Sequence, residues 1–348
     1  MRVVIPVAEQ LDRAGRELAD VRPVSGRIAL ILVDNALELM CHRKAEDILT
    51  YRSQGKALAA GQRADLRGQD FNAKIAVLRA LGHVPQDQAQ AAATFHRHRN
   101  QLYHVGLRDD PVVGDLARLY YELTVGLMPG LLLAERHLQW EPSLLDDSAR
   151  RLLPELETNT RYRNKVSIGD LAGRLLAALP PSRNIPGAFQ AHLLTRIDLC
   201  ETDFKIIAGG RSGKDDPDET LRRVQLEHDT VAAVLKKRRE ENRALRRAGL
   251  PERPIDEEML SLARGLPIMV EANARLLPGW KPAYPKRPFD LWRKQSRAVG
   301  RETLGLKAFE RFDRVIRQIE GLDAFMAEPI EDMHGWNQHM EDVMMDSR

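Results

Sequence analysis

One short segment of the chain combines a permanent cation with a group that can carry protons. Residues 95–104 read Phe-His-Arg-His-Arg-Asn-Gln-Leu-Tyr-His, so His104 follows Arg99 by five residues. An arginine holds a phosphate with a fork of donors, and a histidine takes and gives protons near neutral pH. RNA transesterification needs both, because the 2′-hydroxyl loses a proton while the phosphorane gains charge. The segment therefore predicts phosphate chemistry at Arg99 and His104.

The spacing of these two residues carries little information by itself. A chain of this composition should contain an Arg and a His five residues apart about once by chance. Arg223 and His228 have the same spacing, but they lie in a plain charged helix and are interpreted as a solvated face. The first pair differs because basic residues crowd the turn before it and apolar periodicity runs on both sides.

Three further basic residues precede Arg99 on the same predicted helix. His96, Arg97 and His98 add positive potential for RNA, and Arg97 shares nearly the same face as His104. A metal site built from the histidines is not expected, because residues two apart on a helix diverge by about 200°. The segment also contains no Asp or Glu to complete a metal set. We therefore expect no metal ion and no other cofactor.

Two polar residues of the segment have two interpretations each. Asn100 either orients His104 or the scissile phosphate, or is a polar residue of the helix surface. Tyr103 either stacks on a base or donates a hydrogen bond, or is an aromatic residue of the core.

An earlier apolar run contains polar residues that need partners. Asp34, Asn35 and Glu38 interrupt the apolar residues of segment 28–40, and residues 34 and 38 share a helix face. Buried polar groups without partners cost free energy. We expect them either to reach the Arg/His helix and orient it or to form a solvent face or an inter-helix salt bridge. Asn35 is included among the supporting residues of the site.

Residues of about 10–140 resemble a HEPN domain, the all-helical domain of many prokaryotic toxins and defence ribonucleases. The likeness rests on the Asn-Ala-Leu-Glu-Leu core of segment 28–40 and on Arg99-Asn-Gln-Leu-Tyr-His104, which matches the family's Arg-x(4–6)-His motif. The resemblance implies metal-independent endoribonuclease activity that leaves a 2′,3′-cyclic phosphate, with Arg99, Asn100 and His104 as catalytic residues. It also implies a site shared across a homodimer, an RNA substrate and a possible antitoxin or regulatory protein.

Composition favours a helical, cytoplasmic protein. The 348 residues are 43% hydrophobic, 5% aromatic and 30% charged, a balance typical of helical proteins. A net charge of only +3 excludes a bulk nucleic-acid binder, so RNA affinity must come from local patches. Two isolated cysteines indicate a reducing compartment. No signal sequence and no apolar run of membrane-spanning length is found, so no membrane association is expected.

Helical periodicity dominates and predicts an all-α fold in two parts. Residues 1–141 are predicted to form an antiparallel HEPN-like bundle, and residues 142–348 a mostly helical C-terminal region of unknown role. The predicted helices cover about 7–20, 26–54, 70–82, 86–106, 113–139, 143–156, 168–179, 186–208, 217–248, 256–277, 288–299 and 303–327.

The helical placement of the motif has a consequence for assembly. Residues five apart on a helix point about 140° from each other, so Arg99 must curl round to approach its own His104. A two-fold dimer with this helix near the axis would solve the geometry with the motif of a second chain. The alternatives to a nuclease are a non-catalytic helical module that binds a nucleotide, RNA or a protein partner, and a structural protein with Arg99 and His104 in a salt-bridge network.

Overall fold

A computed structural model supplies the fold. The part of the chain that it describes consists of residues 3–20, 22–50, 58–104, 112–132, 135–138, 147–156, 164–181, 183–210, 216–254 and 277–346.

The described residues confirm the all-α prediction. They form twelve α-helices: α1 Val4–Ala19, α2 Pro23–Thr50, α3 Ala60–Arg67, α4 Phe71–Ala80, α5 Gln86–His104, α6 Val112–Leu131, α7 Asp147–Leu152, α8 Ile168–Ala177, α9 Ile185–Gly210, α10 Pro217–Arg247, α11 Phe289–Gly300 and α12 Gly305–Asp346. The helix predicted over 256–277 lies outside the described residues.

Two four-residue strands accompany the helices. Strand β1, Glu135–Leu138, pairs antiparallel with β2, Asn164–Ser167. The helix predicted over 113–139 instead ends at Leu131. Pro129 and Gly130 explain the early end, because proline donates no backbone hydrogen bond and glycine is a poor helix former. The residues of β1 are then available to pair with β2.

Among the described residues, two further differences from the predicted helices exceed four residues. Helix α3 was not predicted, because Leu66 is its one buried residue and so gives no apolar period to detect. Its start is held by the Gln62 side chain, which accepts a hydrogen bond from the Ala59 backbone N–H at 3.1 Å. Helix α12 continues beyond the predicted end at residue 327, passing through Pro329.

The chain forms two compact units. The first comprises residues 1–189 and 300–310, and the second comprises residues 190–299 and 311–348. The three boundaries between them fall within α9, at the end of α11 and within α12. The predicted division after residue 141 falls inside the first unit, outside the described residues, and it stays a prediction.

Helix α2 is the central element of the first unit, and it packs against α1, α4, α5 and α6. Its apolar side faces these neighbours through Leu30, Val33, Leu37 and Met40, which are all buried. Burial of one such side chain contributes about 1.5–3 kcal/mol. This packing fixes the polar residues that α2 carries between its apolar ones.

Close backbone packing and a tight turn position the helices around α2. A Cβ atom on Gly26 of α2 would lie 2.9 Å from the backbone nitrogen of Gly114, so glycine allows α2 and α6 to approach here. Gly82, with φ of 81°, turns the chain between α4 and α5. The first unit therefore brings α5 and α6 alongside α2. None of the described helices combines the length and the apolar character needed to cross a bilayer.

Candidate functional site

Three helices of the first unit bring polar side chains to one place. Helix α2 supplies Asp34 and Glu38 one turn apart, α5 supplies His96 and Arg99, and α6 supplies Tyr120. We call these five residues the Arg99 cluster. Asp34 and Glu38 therefore contact the Arg/His helix, and the contact takes the form of the inter-helix salt bridge that was one of the two interpretations.

Asp34 is the hub of the Arg99 cluster, and its side chain is completely buried. The Tyr120 hydroxyl donates to its Oδ1 at 2.7 Å, and Arg99 Nε donates to its Oδ2 at 2.7 Å. His96 Nδ1 lies 3.1 Å from the same Oδ2. A buried carboxylate is stable only when it is paired and hydrogen-bonded, and helices α5 and α6 supply these partners.

Arg99 uses most of its donors within the protein. Its Nη2 contacts both Asp34 and, at 3.0 Å, Glu38 Oε1, and its Nη1 donates to Asn100 Oδ1 at 2.8 Å. An arginine has five N–H donors, so with the Nε bond four are engaged. One Nη1 hydrogen has no partner among the described residues, and 19% of the side chain is exposed. The guanidinium is thus held in one orientation with one edge still accessible.

The environment shifts the pKa values of Asp34 and Glu38 in opposite directions. Burial opposes the charge of Asp34, but hydrogen bonds from His96 and Tyr120 and the nearby Arg99 outweigh it, so its pKa lies below the usual value. Burial, and then the charge of Asp34, raises the pKa of Glu38. Burial and the same charge also raise the pKa of Tyr120, which therefore remains a hydrogen-bond donor.

The neighbouring histidines of α5 have separate surroundings. The His96 ring packs on Phe71 with centroids 4.6 Å apart and reaches the carboxylates of α2. His98 is buried in the core, with its ring 5.8 Å from that of Phe309. The structure therefore brings His96 to Arg99 but does not bring His98 there. Arg97 is half-buried on the same helix.

For three further predicted site residues the structure gives no partner or describes no side chain. Asn35 is half-buried on α2, and no hydrogen bond of its side chain is found among the described residues. Tyr103 and His104 form the last turn of α5, and their side chains lie outside the described residues. The roles of Asn35, Tyr103 and His104 stay predictions.

Sequence reasoning missed Tyr120. Its hydroxyl reaches Asp34 from a position 86 residues away in the chain. The signal for it was a tyrosine within the strongly apolar α6, since buried tyrosine hydroxyls usually have a partner. The adjacent Tyr121 gives the same signal, and only the packing of α6 distinguishes the two.

The second Arg and His pair lies on α10 of the second unit. His228 is 41% exposed, its Nδ1 lies 3.3 Å from Asp229, and its ring meets the Phe325 ring edge-on at 4.8 Å. Asp229 is 35% exposed and also accepts a hydrogen bond from Trp280 Nε1 at 2.8 Å. The carboxylate beside this pair is thus partly in water.

The Arg99 cluster also contains a possible set of metal ligands. One ligand atom each from Asp34, Glu38 and His96 can be chosen so that all three lie within 4.8 Å of one another. The prediction of no metal considered the histidines of α5 and not this combination with α2.

A separate cavity of about 620 Å³ lies in the first unit. It is lined by apolar residues such as Leu119 and Leu123 together with charged residues such as Glu302 and Lys307. The Arg99 cluster does not line this cavity and lies between α2, α5 and α6. Comparison with known proteins gives no further guide, since no family model, curated protein or solved structure matches the chain.

Proposed function

We propose that the chain is a metal-independent endoribonuclease of the HEPN type, in which Arg99 and Asn100 bind the scissile phosphate and His104 transfers protons. The observation that carries the proposal is that the Arg99 and Asn100 side chains are held in fixed orientations. Asp34 and Glu38 hold the Arg99 guanidinium, and Arg99 in turn holds the Asn100 amide through its Oδ1. The polar pair of the motif is therefore oriented before RNA arrives.

The hydrogen bonds determine which donors this pair could offer to RNA. Within the part of the chain that the structure describes, one Nη1 hydrogen of Arg99 has no partner, and neither has Asn100 Nδ2, because the oxygen of Asn100 is the atom that accepts from Arg99. Both groups are donors, and both adjoin the same guanidinium edge. Two such donors suit a non-bridging phosphate oxygen, which gains charge as the phosphorane forms.

In the proposed reaction the 2′-oxygen forms a bond to phosphorus and the 5′-oxygen leaves. The 2′-hydroxyl proton passes to a base, and the leaving 5′-oxygen receives a proton from an acid. His104 fills one of these roles, and the His104 of a second chain in a homodimer would fill the other. The products are a 2′,3′-cyclic phosphate and a 5′-hydroxyl.

Such an activity would make the protein a toxin or an antiphage defence effector in the cytoplasm. Uncontrolled RNA cleavage damages the cell, so an antitoxin or another regulatory protein would hold it inactive. The second unit is our candidate for docking this partner or for selecting the RNA.

The proposal is tested by incubating total RNA with purified wild type and His104→Ala in EDTA, followed by analysis of the product ends. We expect cutting by the wild type that leaves 2′,3′-cyclic phosphate, and a loss of about 100-fold or more in the variant. The matched control is His228→Ala, which removes the histidine of the second pair and should cut like the wild type. Cutting that disappears in EDTA, or that survives in His104→Ala, contradicts the proposal.

One observation favours a second candidate, a purely structural interaction protein in which Arg99 belongs to a salt-bridge network. Four of the five donors of Arg99 already serve the protein, as in a structural salt-bridge network. This candidate predicts no RNA cutting by wild type or by His104→Ala. It also predicts that neither the wild type nor Arg99→Ala retards RNA in a gel-shift assay, whereas RNA retention that Arg99→Ala weakens would instead indicate a non-catalytic binding module.

A further inference from the structure

The ligand atoms of the Arg99 cluster have the spacing of a metal site. Zinc bonds to nitrogen and oxygen of about 2.0–2.2 Å place neighbouring ligands of a tetrahedron about 3.3–3.6 Å apart. His96 Nδ1 lies 3.1 Å from Asp34 Oδ2 and 3.4 Å from Glu38 Oε1. Two carboxylates one turn apart on α2 and one imidazole from α5 thus bring three ligand atoms within 4.8 Å of one another, and the two distances from His96 are near the required values.

We propose that Asp34, Glu38 and His96 form a binding site for a divalent cation of the zinc type, which replaces the Arg99 guanidinium between the two carboxylates. A mixed nitrogen and oxygen ligand set suits Zn²⁺, and water would complete the fourth position.

The charges of the cluster support this exchange. Two carboxylates face one guanidinium, so Arg99 alone does not balance them, whereas a divalent cation does.

Residues behind the ligands also resemble the surroundings of a metal site. A metal-binding carboxylate is usually oriented by a hydrogen bond to its other oxygen. Tyr120 supplies this bond to Asp34 Oδ1 at 2.7 Å, while His96 Nδ1 lies 3.1 Å from Oδ2 and 3.2 Å from Oδ1. The Phe71 ring, 4.6 Å from the His96 ring, fixes the imidazole between α4 and α5.

Cation binding and Arg99 pairing exclude each other in this arrangement. Arg99 Nη2 contacts the same two oxygens that the cation needs, namely Asp34 Oδ2 and Glu38 Oε1. The bound cation would therefore displace the Arg99 guanidinium from the two carboxylates and disturb its hydrogen bond to Asn100. The site rests on these contacts and not on the proposed ribonuclease activity, although it would oppose that activity if the activity exists.

The test is calorimetric titration of ZnCl₂ into the full chain after treatment with EDTA and removal of the chelator. We expect one zinc per chain, binding weakened about tenfold or more in His96→Ala, and binding tightened about tenfold in Arg99→Gln. Glu38→Gln, which alters a side chain that is 31% exposed, should also weaken binding if His96→Ala fails to fold. The Co²⁺ complex of Arg99→Gln should show the strong visible absorption of tetrahedral cobalt.

His228→Ala is the matched control, because His228 and Asp229 form an exposed histidine–carboxylate pair that could bind zinc adventitiously. This variant should bind like the wild type. Absence of zinc binding in both wild type and Arg99→Gln overturns the proposal, and so does unchanged binding in both His96→Ala and Glu38→Gln. No RNA is present, so this result is independent of the test for cleavage.

Discussion

The chain contains two Arg and His pairs with identical spacing and different surroundings. Arg99 on α5 is clamped by Asp34, which is completely buried, and by Glu38. His228 on α10 instead contacts an aspartate that is itself 35% exposed. The spacing between an arginine and a histidine therefore does not identify a site by itself. The fold identifies it by placing a buried carboxylate, with its own supporting residue, beside the arginine. The buried carboxylate is what makes the first pair our candidate site.

The largest expected difference between the two regions concerns stability. Asp34→Ala leaves the Arg99 cation and the Tyr120 hydroxyl without their buried acceptor, and it should cost the first unit about 3–5 kcal/mol. Asp229→Ala removes a half-exposed acceptor and should cost the second unit about 1 kcal/mol. Native-state hydrogen exchange of the α5 and α10 amides measures the two effects separately. Equal losses would remove the distinction between the two regions.

A smaller effect is expected from the tyrosine that supports the buried carboxylate. Tyr120→Phe removes a 2.7 Å hydrogen bond to a charged group and should destabilise by about 1.5–3 kcal/mol. The neighbouring Tyr121 provides the control, because its hydroxyl reaches only the Leu175 carbonyl at 3.4 Å. Tyr121→Phe should cost less than about 1 kcal/mol. Chemical denaturation of both variants checks this, and a larger loss in Tyr121→Phe would argue against Asp34 as the hub.

The pH dependence of stability should carry the signature of the two α2 carboxyls. The pKa of Glu38 is raised from 4.5, so its stabilising contribution is complete below pH 4.5 and is lost as pH rises through the folded-state pKa. The pKa of Asp34 is lowered from 3.8, so its contribution is present above pH 3.8 and is lost as pH falls through the folded-state pKa. The melting temperature should therefore depend less on pH above pH 4.5 in Glu38→Gln than in the wild type. An unchanged dependence of the melting temperature on pH would show that Glu38 has the same pKa in the folded and unfolded protein.

Most of the helices could be predicted because apolar periodicity is a local property. The apolar pattern does not predict α3, because this helix buries a single leucine. The pattern predicts too long an α6, because periodicity alone does not register the effect of Pro129 and Gly130 on the end of the helix. The contact of Asp34 with α5 was predictable, since a carboxylate inside an apolar run needs a partner.

The rest of the site depends on packing between distant segments. The bond from Tyr120 to Asp34 follows from the crossing of α2 and α6, which no local pattern encodes. The burial of His98 against Phe309 likewise joins residues that are far apart in the chain, and it removed one histidine from the surface expected to bind RNA. Local chemistry thus identified the Arg/His helix, and tertiary packing selected which of its residues meet α2.

The most direct test of the account compares lysine replacements in the two pairs. Lysine carries the charge but lacks the fork that holds Asp34, Glu38 and Asn100 together. In RNA cleavage assays with EDTA, Arg99→Lys should lose about tenfold or more of the wild-type rate, and Arg223→Lys should match the wild type. Equal rates for the two variants, or no cleavage by the wild type, would contradict the claim that the clamped Arg99 makes the first pair the functional one.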